Sequence, residues 1–422
     1  MPATLPPELL NMIIPACIDA IPTRTNLAER TRLLCTVSLI NKTWHAWAEP
    51  LIHQHLHLTE RHLRRLAYTL EDSSSSSLEP VPERGRLAAR KSHETRRSSS
   101  SCSSSSSTRS SSSLRSTSTS RTRQLAAIQD YQEPDTPLEQ RAHQVNTVAL
   151  GKWIDEYGTG IKTALKKFDS CDQVYVEGTK SWSALTSVSA IPNIETLHLT
   201  RVYNSLPPPD GFPHVKRLSV SFGLSDGIDW SFLSMHKMPK LSTLVLDPYD
   251  WAFSQSQSFQ TSFQTMSRQL EALALGGSDS GNVDWPRLLH QAESLEHLYI
   301  HTSTSSALVK AVPQLACRLA SLRIASTSAT PEQVADILGA SNEDQGDGEH
   351  APASLCQLER LILPIASSNG WDLATDESRK ALSQIRQWCQ KNDVNLDFVE
   401  RGVTTLEDWK PASLESHSGD EE

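Results

Sequence analysis

Residues 295–300 read Leu-Glu-His-Leu-Tyr-Ile, so that apolar side chains stand at the first, fourth and sixth positions of the stretch. The same spacing, apolar-x-x-apolar-x-apolar, occurs nine times between residues 145 and 363. Alternating apolar positions within each copy predict a short strand with one buried face. Successive copies begin 21–29 residues apart, except that the ninth begins 39 residues after the eighth. The copies begin at Val145, Cys171, Ile194, Val215, Leu241, Leu270, Leu295, Leu319 and Leu358.

Segments between the motifs predict helices. The clearest spans residues 377–390, where Leu382, Ile385 and Cys389 recur at three- and four-residue spacing and so share one face of a helix. A strand followed by a returning helix cannot bury its apolar face alone, so each unit must stack on its neighbours. The other predicted helices span 230–238, 285–292, 306–317 and 331–338.

The spacing of the copies resembles that of leucine-rich repeats, whose period is about 20–29 residues. The resemblance implies an α/β fold with an irregular leucine-rich-repeat-like solenoid. The irregularity is expected because asparagine or cysteine is absent from the positions just after the strands, where it normally bonds the backbone across repeats. An ordinary α/β domain with leucine-rich strands remains the alternative. At or near these positions stand Gly151, Val202, Gly223, Tyr249, Ser278, Ser303 and Thr327.

A second apolar pattern opens the chain. Pro6 and Pro7 suit the first turn of a helix, and Leu9 and Ile13 then belong to one apolar stripe. Asn26 opens a second predicted helix, and a third spans 42–49. Three short helices form a weak core, so we expect this block to pack against another part of the chain or a partner.

Three stretches of this block resemble the F-box: Leu-Pro-Pro-Glu-Leu-Leu at 5–10, Leu-Cys-Thr-Val-Ser-Leu-Ile-Asn-Lys-Thr-Trp at 34–44 and Pro-Leu-Ile at 50–52. The linker 15–26 is longer than is usual, and Ile40 stands where valine is frequent. F-box helices bind the S-phase-kinase-associated adaptor of cullin ubiquitin ligases, and leucine-rich repeats behind them hold the substrate. A self-contained helical core is the alternative for these leucines. The resemblance implies adaptor contacts by Leu5, Pro6, Leu9, Ile13, Leu34, Val37, Leu39 and Trp44.

Residues 72–123 are rich in serine and arginine, with uninterrupted serine runs such as 103–107. Because the segment has few apolar residues, their burial cannot offset the entropy cost of folding. We therefore expect this insertion and the acidic tail 411–422 to be disordered. Ser98, Ser110 and Ser116 follow arginines and are candidate phosphorylation sites, where modification would replace positive by negative charge. An RNA-binding serine-arginine tract and a flexible insertion without a role are the alternatives.

These features predict an organisation in five segments. Residues 1–58 form the F-box-like helices, 59–71 a helix leading into the solenoid, 72–123 the disordered insertion, 124–410 the solenoid and 411–422 the tail. The net charge of −9 offers no basic field for nucleic acid or an anionic membrane. Seven cysteines without a CxxC pair favour free thiols, and no stretch approaches a membrane span, so we expect a cytoplasmic or nuclear protein.

The strongest enzymatic signal is Gly-Leu-Ser-Asp-Gly at 223–227, which fits the GxSxG spacing of a nucleophile elbow after a strand. Ser225 would be the nucleophile, with His236 or His290 as the base. The same glycines suit an ordinary turn, and no glycine-rich oxyanion segment precedes them. The alternating histidines 53, 55 and 57 could bind a metal, but no carboxylate or cysteine stands at ligand spacing beside them.

The leading hypothesis is therefore a non-catalytic substrate receptor of a cullin-type ubiquitin ligase, without cofactor, metal, nucleic-acid or membrane partners. It would act by holding a target lysine near a separately recruited ubiquitin-charged enzyme. An adaptor-independent scaffold and a serine hydrolase using Ser225 are the alternatives. Side chains beside the strand leucines are the candidate target contacts, namely Tyr175, His198, Arg217, Tyr299, His301 and Arg323.

Overall fold

The structure is a computed structural model of the chain. It describes residues 34, 36, 38, 45, 48, 54–58, 142–151, 158–178, 183–202, 211–222, 230–249, 251–278, 283–301, 307–325, 329–340, 352–364, 371, 373–399 and 409. All of them belong to one compact unit, which comprises residues 1–71 and 139–422. The segments 59–71, 72–123 and 411–422, for which a helix, a disordered insertion and a disordered tail are predicted, lie outside the described residues.

Within these ranges, eleven strands form one sheet, and their order across the sheet is their order along the chain. Every neighbouring pair is parallel. The chain is therefore an α/β protein, and each of the nine predicted strands is confirmed as one of β2 to β10. The strands are β1 (His55–Leu58), β2 (Thr147–Leu150), β3 (Gln173–Glu177), β4 (Thr196–Val202), β5 (Arg217–Phe222), β6 (Thr243–Asp247), β7 (Ala272–Leu275), β8 (His297–Ile300), β9 (Ser321–Ile324), β10 (Arg360–Pro364) and β11 (Asn395–Val399).

The fourth residue of each repeated motif supplies one continuous row of the core. These side chains stand in register across β2 to β10, and all of them are fully buried. Burial of an aliphatic side chain of this size stabilises the fold by about 1.5–3 kcal/mol. The row therefore explains why the motif is repeated. Its members are Val148, Val174, Leu197, Leu218, Leu244, Leu273, Leu298, Leu322 and Leu361.

Backbone hydrogen bonds fix the register at the start of each strand. The carbonyl oxygen of Glu271 accepts bonds from the backbone N–H groups of Glu296, at 2.9 Å, and His297, at 3.0 Å. The same double acceptance joins every pair of successive repeats from β2 to β10. Because these bonds involve the main chain alone, they permit any side chain at the accepting position. The other accepting carbonyls belong to Asn146, Asp172, Glu195, Lys216, Ser242, Glu296 and Ala320.

The helices lie in the connections between strands. The predictions at 285–292, 331–338 and 377–390 are confirmed, and the prediction at 306–317 is an α-helix continued by a 3₁₀ turn. Thr330 and Gln333 close a capping box at the start of one helix. The α-helices whose bounds the structure describes are α1 (Gly158–Leu165), α2 (Ser183–Val188), α3 (Gln257–Ser267), α4 (Trp285–Leu289), α5 (Ala307–Ala311), α6 (Pro331–Ile337) and α7 (Asp376–Lys391).

The predicted helix 230–238 is wrong, because only Trp230–Phe232 is helical there and it is a single 3₁₀ turn. Trp230, Phe232 and Leu233 are all buried, and one tight turn is enough to bring three such closely spaced residues inward. Trp230 then packs against Phe259 of α3, with ring centroids 4.8 Å apart. No helix in the described part of the chain is long and apolar enough to cross a membrane.

Candidate functional site

The candidate site is the face of the sheet opposite the leucine row, which we call the tyrosine face. Two rows of side chains cross it in register. The central row follows the leucines by one residue, and the N-terminal row precedes them by one residue. The central row comprises Ala149, Tyr175, His198, Ser219, Val245, Ala274, Tyr299, Arg323, Ile362 and Asp397, and the N-terminal row comprises Thr147, Gln173, Thr196, Arg217, Thr243, Ala272, His297, Ser321, Arg360 and Asn395.

The six residues predicted as target contacts all belong to this region. Five of them lie in the two rows, and His301 directly follows β8, two residues after Tyr299. Because side chains alternate between the two faces of a strand, registered parallel strands bring every second residue of each repeat together. The sequence pattern therefore placed these residues on one face correctly, and the structure separates them into two groups.

The first group joins β3 and β4. The rings of Tyr175 and His198 stack with centroids 4.3 Å apart and planes 4° from parallel. Ala149 of β2 packs beside Tyr175. Both rings are buried, so in this structure they form a packed layer and present little surface.

The second group surrounds Tyr299 of β8. The Arg323 guanidinium lies 4.5 Å from the centre of the tyrosine ring, a cation–π arrangement. The His301 ring meets the same tyrosine nearly edge-on, with centroids 5.7 Å apart. Burial raises the pKa of the Tyr299 hydroxyl, and the nearby Arg323 charge opposes that shift. The phenol is therefore neutral at physiological pH and acts as a hydrogen-bonding and packing group.

Between the two groups the central row becomes shallow. Ser219, Val245 and Ala274 are small, whereas His198 and Tyr299 on either side are large. The difference in side-chain size makes a depression across β5, β6 and β7. The small residues are visible in the sequence, but the repeated motif alone does not predict that they form a depression.

Trp409 fills this depression. Its ring packs against Val245, Ala272, Ala274 and Tyr299, and only 3% of the residue is exposed. A bond from the Arg217 guanidinium holds the same residue, because Nη2 donates to the Trp409 carbonyl oxygen at 2.5 Å. The sequence interpretation gave Trp409 no role. The available signal was a lone large aromatic side chain in the charged stretch Glu-Asp-Trp-Lys at 407–410.

A second unforeseen contact lies in the N-terminal row. His297 Nδ1 and Ser321 Oγ are 3.0 Å apart, and both residues are buried. Burial lowers the pKa of His297, while the carboxylates of Glu296, Glu271 and Glu359 oppose the shift. The imidazole is therefore neutral, and the pair joins β8 to β9 within the N-terminal row of the tyrosine face.

The other predicted site residues are described only in part. Leu34, a predicted adaptor contact, lies in a helix and is 1% exposed, so its side chain packs inside the chain. The remaining predicted adaptor contacts lie outside the described residues, as do Ser225 and the three candidate phosphorylation sites. The stretch 55–58 is the strand β1, but the side chains of its histidines are not described. Where the structure describes side chains, no group of three or more potential metal ligands occurs.

No protein-family model and no curated protein matches the chain. The tyrosine face carries an apolar depression that Trp409 fills, aromatic rings and two arginines, Arg217 and Arg323. Aromatic and arginine side chains are enriched in protein–protein interfaces in general, where they combine apolar packing with hydrogen-bond donors.

Proposed function

We propose that the chain is the substrate-recognition subunit of a cullin-type ubiquitin ligase. In this proposal the F-box-like residues at 5–52 bind the adaptor, and the registered strands form an irregular leucine-rich-repeat-like solenoid. The tyrosine face of that solenoid binds the protein target. The observation that carries the proposal is the central row, where residues chosen from sequence as target contacts lie on one face around a depression.

Two features of the sheet support the solenoid. The strands follow one another in sequence order across the sheet, and the same position of each repeated motif is buried on one side of it, as stacked repeats require. The double backbone bonds between successive repeats support a nearest-neighbour architecture as well. In repeat proteins, the face formed by stacked strands of this kind is a typical binding surface.

The proposed mechanism is positional. A target on the tyrosine face and an adaptor on residues 5–52 would place a target lysine near the separately recruited ubiquitin-charged enzyme. Tethering of this type raises the effective concentration of the reactants to the millimolar range without any catalytic side chain in this chain.

A pull-down with the purified S-phase-kinase-associated adaptor tests the proposal. We expect the full chain to retain the adaptor and the double variant Leu9→Asp, Trp44→Ala to lose it, because these residues match the apolar F-box positions. Thr36→Ala is the matched control, since Thr36 is an exposed helical residue of the same block. Circular dichroism checks that each variant folds.

Two results would contradict the proposal. If the full chain does not retain the adaptor, the chain is better described as an adaptor-independent scaffold that binds partners through the tyrosine face. If the double variant retains the adaptor as well as Thr36→Ala does, the F-box-like positions are not the contact.

A further inference from the structure

Trp409 packs at the middle of the sheet, far from the edge strand β11 that precedes it in the chain. Val399 ends β11 at the edge, yet ten residues later Trp409 contacts side chains of β6, β7 and β8 in the middle. Strands are about 4.8 Å apart, so β7 lies about 19 Å from β11. Ten residues reach about 33 Å when extended, so the chain can cover this distance. Trp409 therefore packs against residues that are distant from it in the sequence and several strands away from β11.

The depression suits that ring. Ala272 and Ala274 carry only methyl groups, which lets a flat ring approach the backbone of β7 closely. Val245 and Tyr299 border the ring on either side, and Ala325 of the β9 end packs against the same cluster. A buried aromatic side chain such as tryptophan removes about 150–250 Å² of surface from water. We call this cluster of Val245, Ala272, Ala274, Tyr299 and Ala325 the indole pocket.

The pocket also recognises the main chain of its occupant. The Arg217 guanidinium donates to the carbonyl oxygen of Trp409, a bond with a charged donor. A main-chain carbonyl is present in every polypeptide, so this bond would form with any segment whose ring enters the pocket in the same way. The indole ring and the carbonyl oxygen belong to the same residue, so one tryptophan of a bound segment can make both contacts.

We propose that the indole pocket is a target-binding subsite that takes a tryptophan side chain and the carbonyl oxygen of the same residue, in competition with Trp409. This rests on the proposed function, in which the tyrosine face binds the protein target. Trp409 then acts as an internal ligand that a target segment must displace.

The strength of the competition follows from tethering. In general, a ligand joined to its own site by a short flexible segment has an effective concentration of about 1 mM. If a free segment binds the vacant pocket with a Kd of about 10 μM, the pocket is occupied by Trp409 about 100 times as often as it is vacant. The same free segment should then bind the wild-type chain about 100-fold more weakly than a chain without Trp409.

Fluorescence anisotropy with a labelled peptide tests this. The probe is the chain's own segment 403–415, Val-Thr-Thr-Leu-Glu-Asp-Trp-Lys-Pro-Ala-Ser-Leu-Glu. We expect the full chain with Trp409→Ala to bind it at least tenfold more tightly than the wild type does. Tyr249→Ala is the matched control because it removes an aromatic residue that is 70% exposed. It should bind as the wild type does, and a probe with alanine for tryptophan should bind at least tenfold more weakly to Trp409→Ala.

The inference is overturned if Trp409→Ala does not bind the probe, if it binds no more tightly than the wild type, or if the alanine probe binds equally well. Should Trp409→Ala fail to fold, a protease site placed at residues 400–406 lets the intact chain fold before it is cut. The fragment carrying Trp409 is then expected to separate from a folded body in gel filtration at nanomolar concentration. Unfolding on cleavage, or a fragment that stays bound, would show that Trp409 is a structural part of the core and would end the inference.

The adaptor pull-down separates this inference from the proposed function. If the adaptor is retained but the probe does not bind, only the indole pocket is wrong. If the probe binds but the adaptor is not retained, the pocket belongs to a scaffold and the receptor role is wrong.

Discussion

Gly277 and Gly339 allow one substitution to be compared with its own control. Both have left-handed backbone angles, with φ of +79° and +71°. A Cβ added at Gly277 would lie 2.0 Å from the carbonyl oxygen of Pro248, whereas one at Gly339 would have no atom within 4 Å. The left-handed backbone angle is unfavourable for alanine at either position, but only alanine at Gly277 would also collide with another segment.

The expected cost follows from these distances. The left-handed conformation costs a residue with a Cβ about 1–2 kcal/mol, which sets the loss for Gly339→Ala. The contact at Gly277 is more than 1 Å inside ordinary van der Waals contact, which begins near 3.4 Å. Relief requires backbone movement, since the nearest atom is a carbonyl oxygen. Overpacking of this kind costs about 1–3 kcal/mol more, so Gly277→Ala should lose about 2–5 kcal/mol.

Urea unfolding monitored by tryptophan fluorescence measures the difference. The turn that contains Gly277 holds Trp251, whose indole Nε1 donates to the Gly276 carbonyl at 2.8 Å and whose backbone N–H donates to the Ser278 carbonyl at 3.2 Å. With a slope of about 3 kcal/mol per molar urea, the expected difference of about 1–3 kcal/mol separates the two midpoints by about 0.3–1 M. Equal midpoints for Gly277→Ala and Gly339→Ala would refute the reasoning from the close approach.

Three further outcomes are expected. The wild type should lose more stability than His297→Gln between pH 7.5 and 5.5, because burial lowers the pKa of His297 below its ordinary 6.5 and the unfolded chain then binds more protons at this residue than the folded chain does; melting temperatures at both pH values check this. Cys356, which is exposed, should react with iodoacetamide before Cys171, whose thiol pKa burial raises to about 12, as peptide mass mapping would show. Trp371→Phe should lower stability by about 1–3 kcal/mol in urea unfolding, since it leaves the buried Ala329 carbonyl without the indole Nε1 donor 2.9 Å away.

Local periodicity explains what the sequence could predict. The strands β2 to β10 follow from a motif of six residues, because each repeat buries the same leucine position against its neighbours. The predicted target contacts follow from the same register, since a residue next to a leucine in one repeat faces the same way in all. The helix α7 follows from Leu382 and Ile385, which are buried on the face that the spacing indicated.

Elements outside that periodicity could not be predicted. The helix α3 carries glutamine, serine and threonine at most positions, and only Phe259, Phe263 and Met266, three or four residues apart, mark its buried face. The strand β11 lacks the repeated motif, because its residues are only partly buried at the edge of the sheet. In both cases the surrounding tertiary structure decides the outcome, and propensity within the segment contributes little.

The packing of Trp409 on the tyrosine face could not be predicted from the sequence either, because it depends on a contact between residues that are distant in the chain. Trp409 follows Val245 by more than 160 residues, so no window of sequence contains both. Residues predicted as exposed target contacts, such as Tyr299, are consequently buried in the isolated chain. A face already filled by its own chain can bind a target only by exchange, and the free energy of binding is then the difference between two similar occupants. On the proposed function, selectivity would therefore be set by the contacts that a target makes beyond the indole ring and the carbonyl oxygen of the same residue.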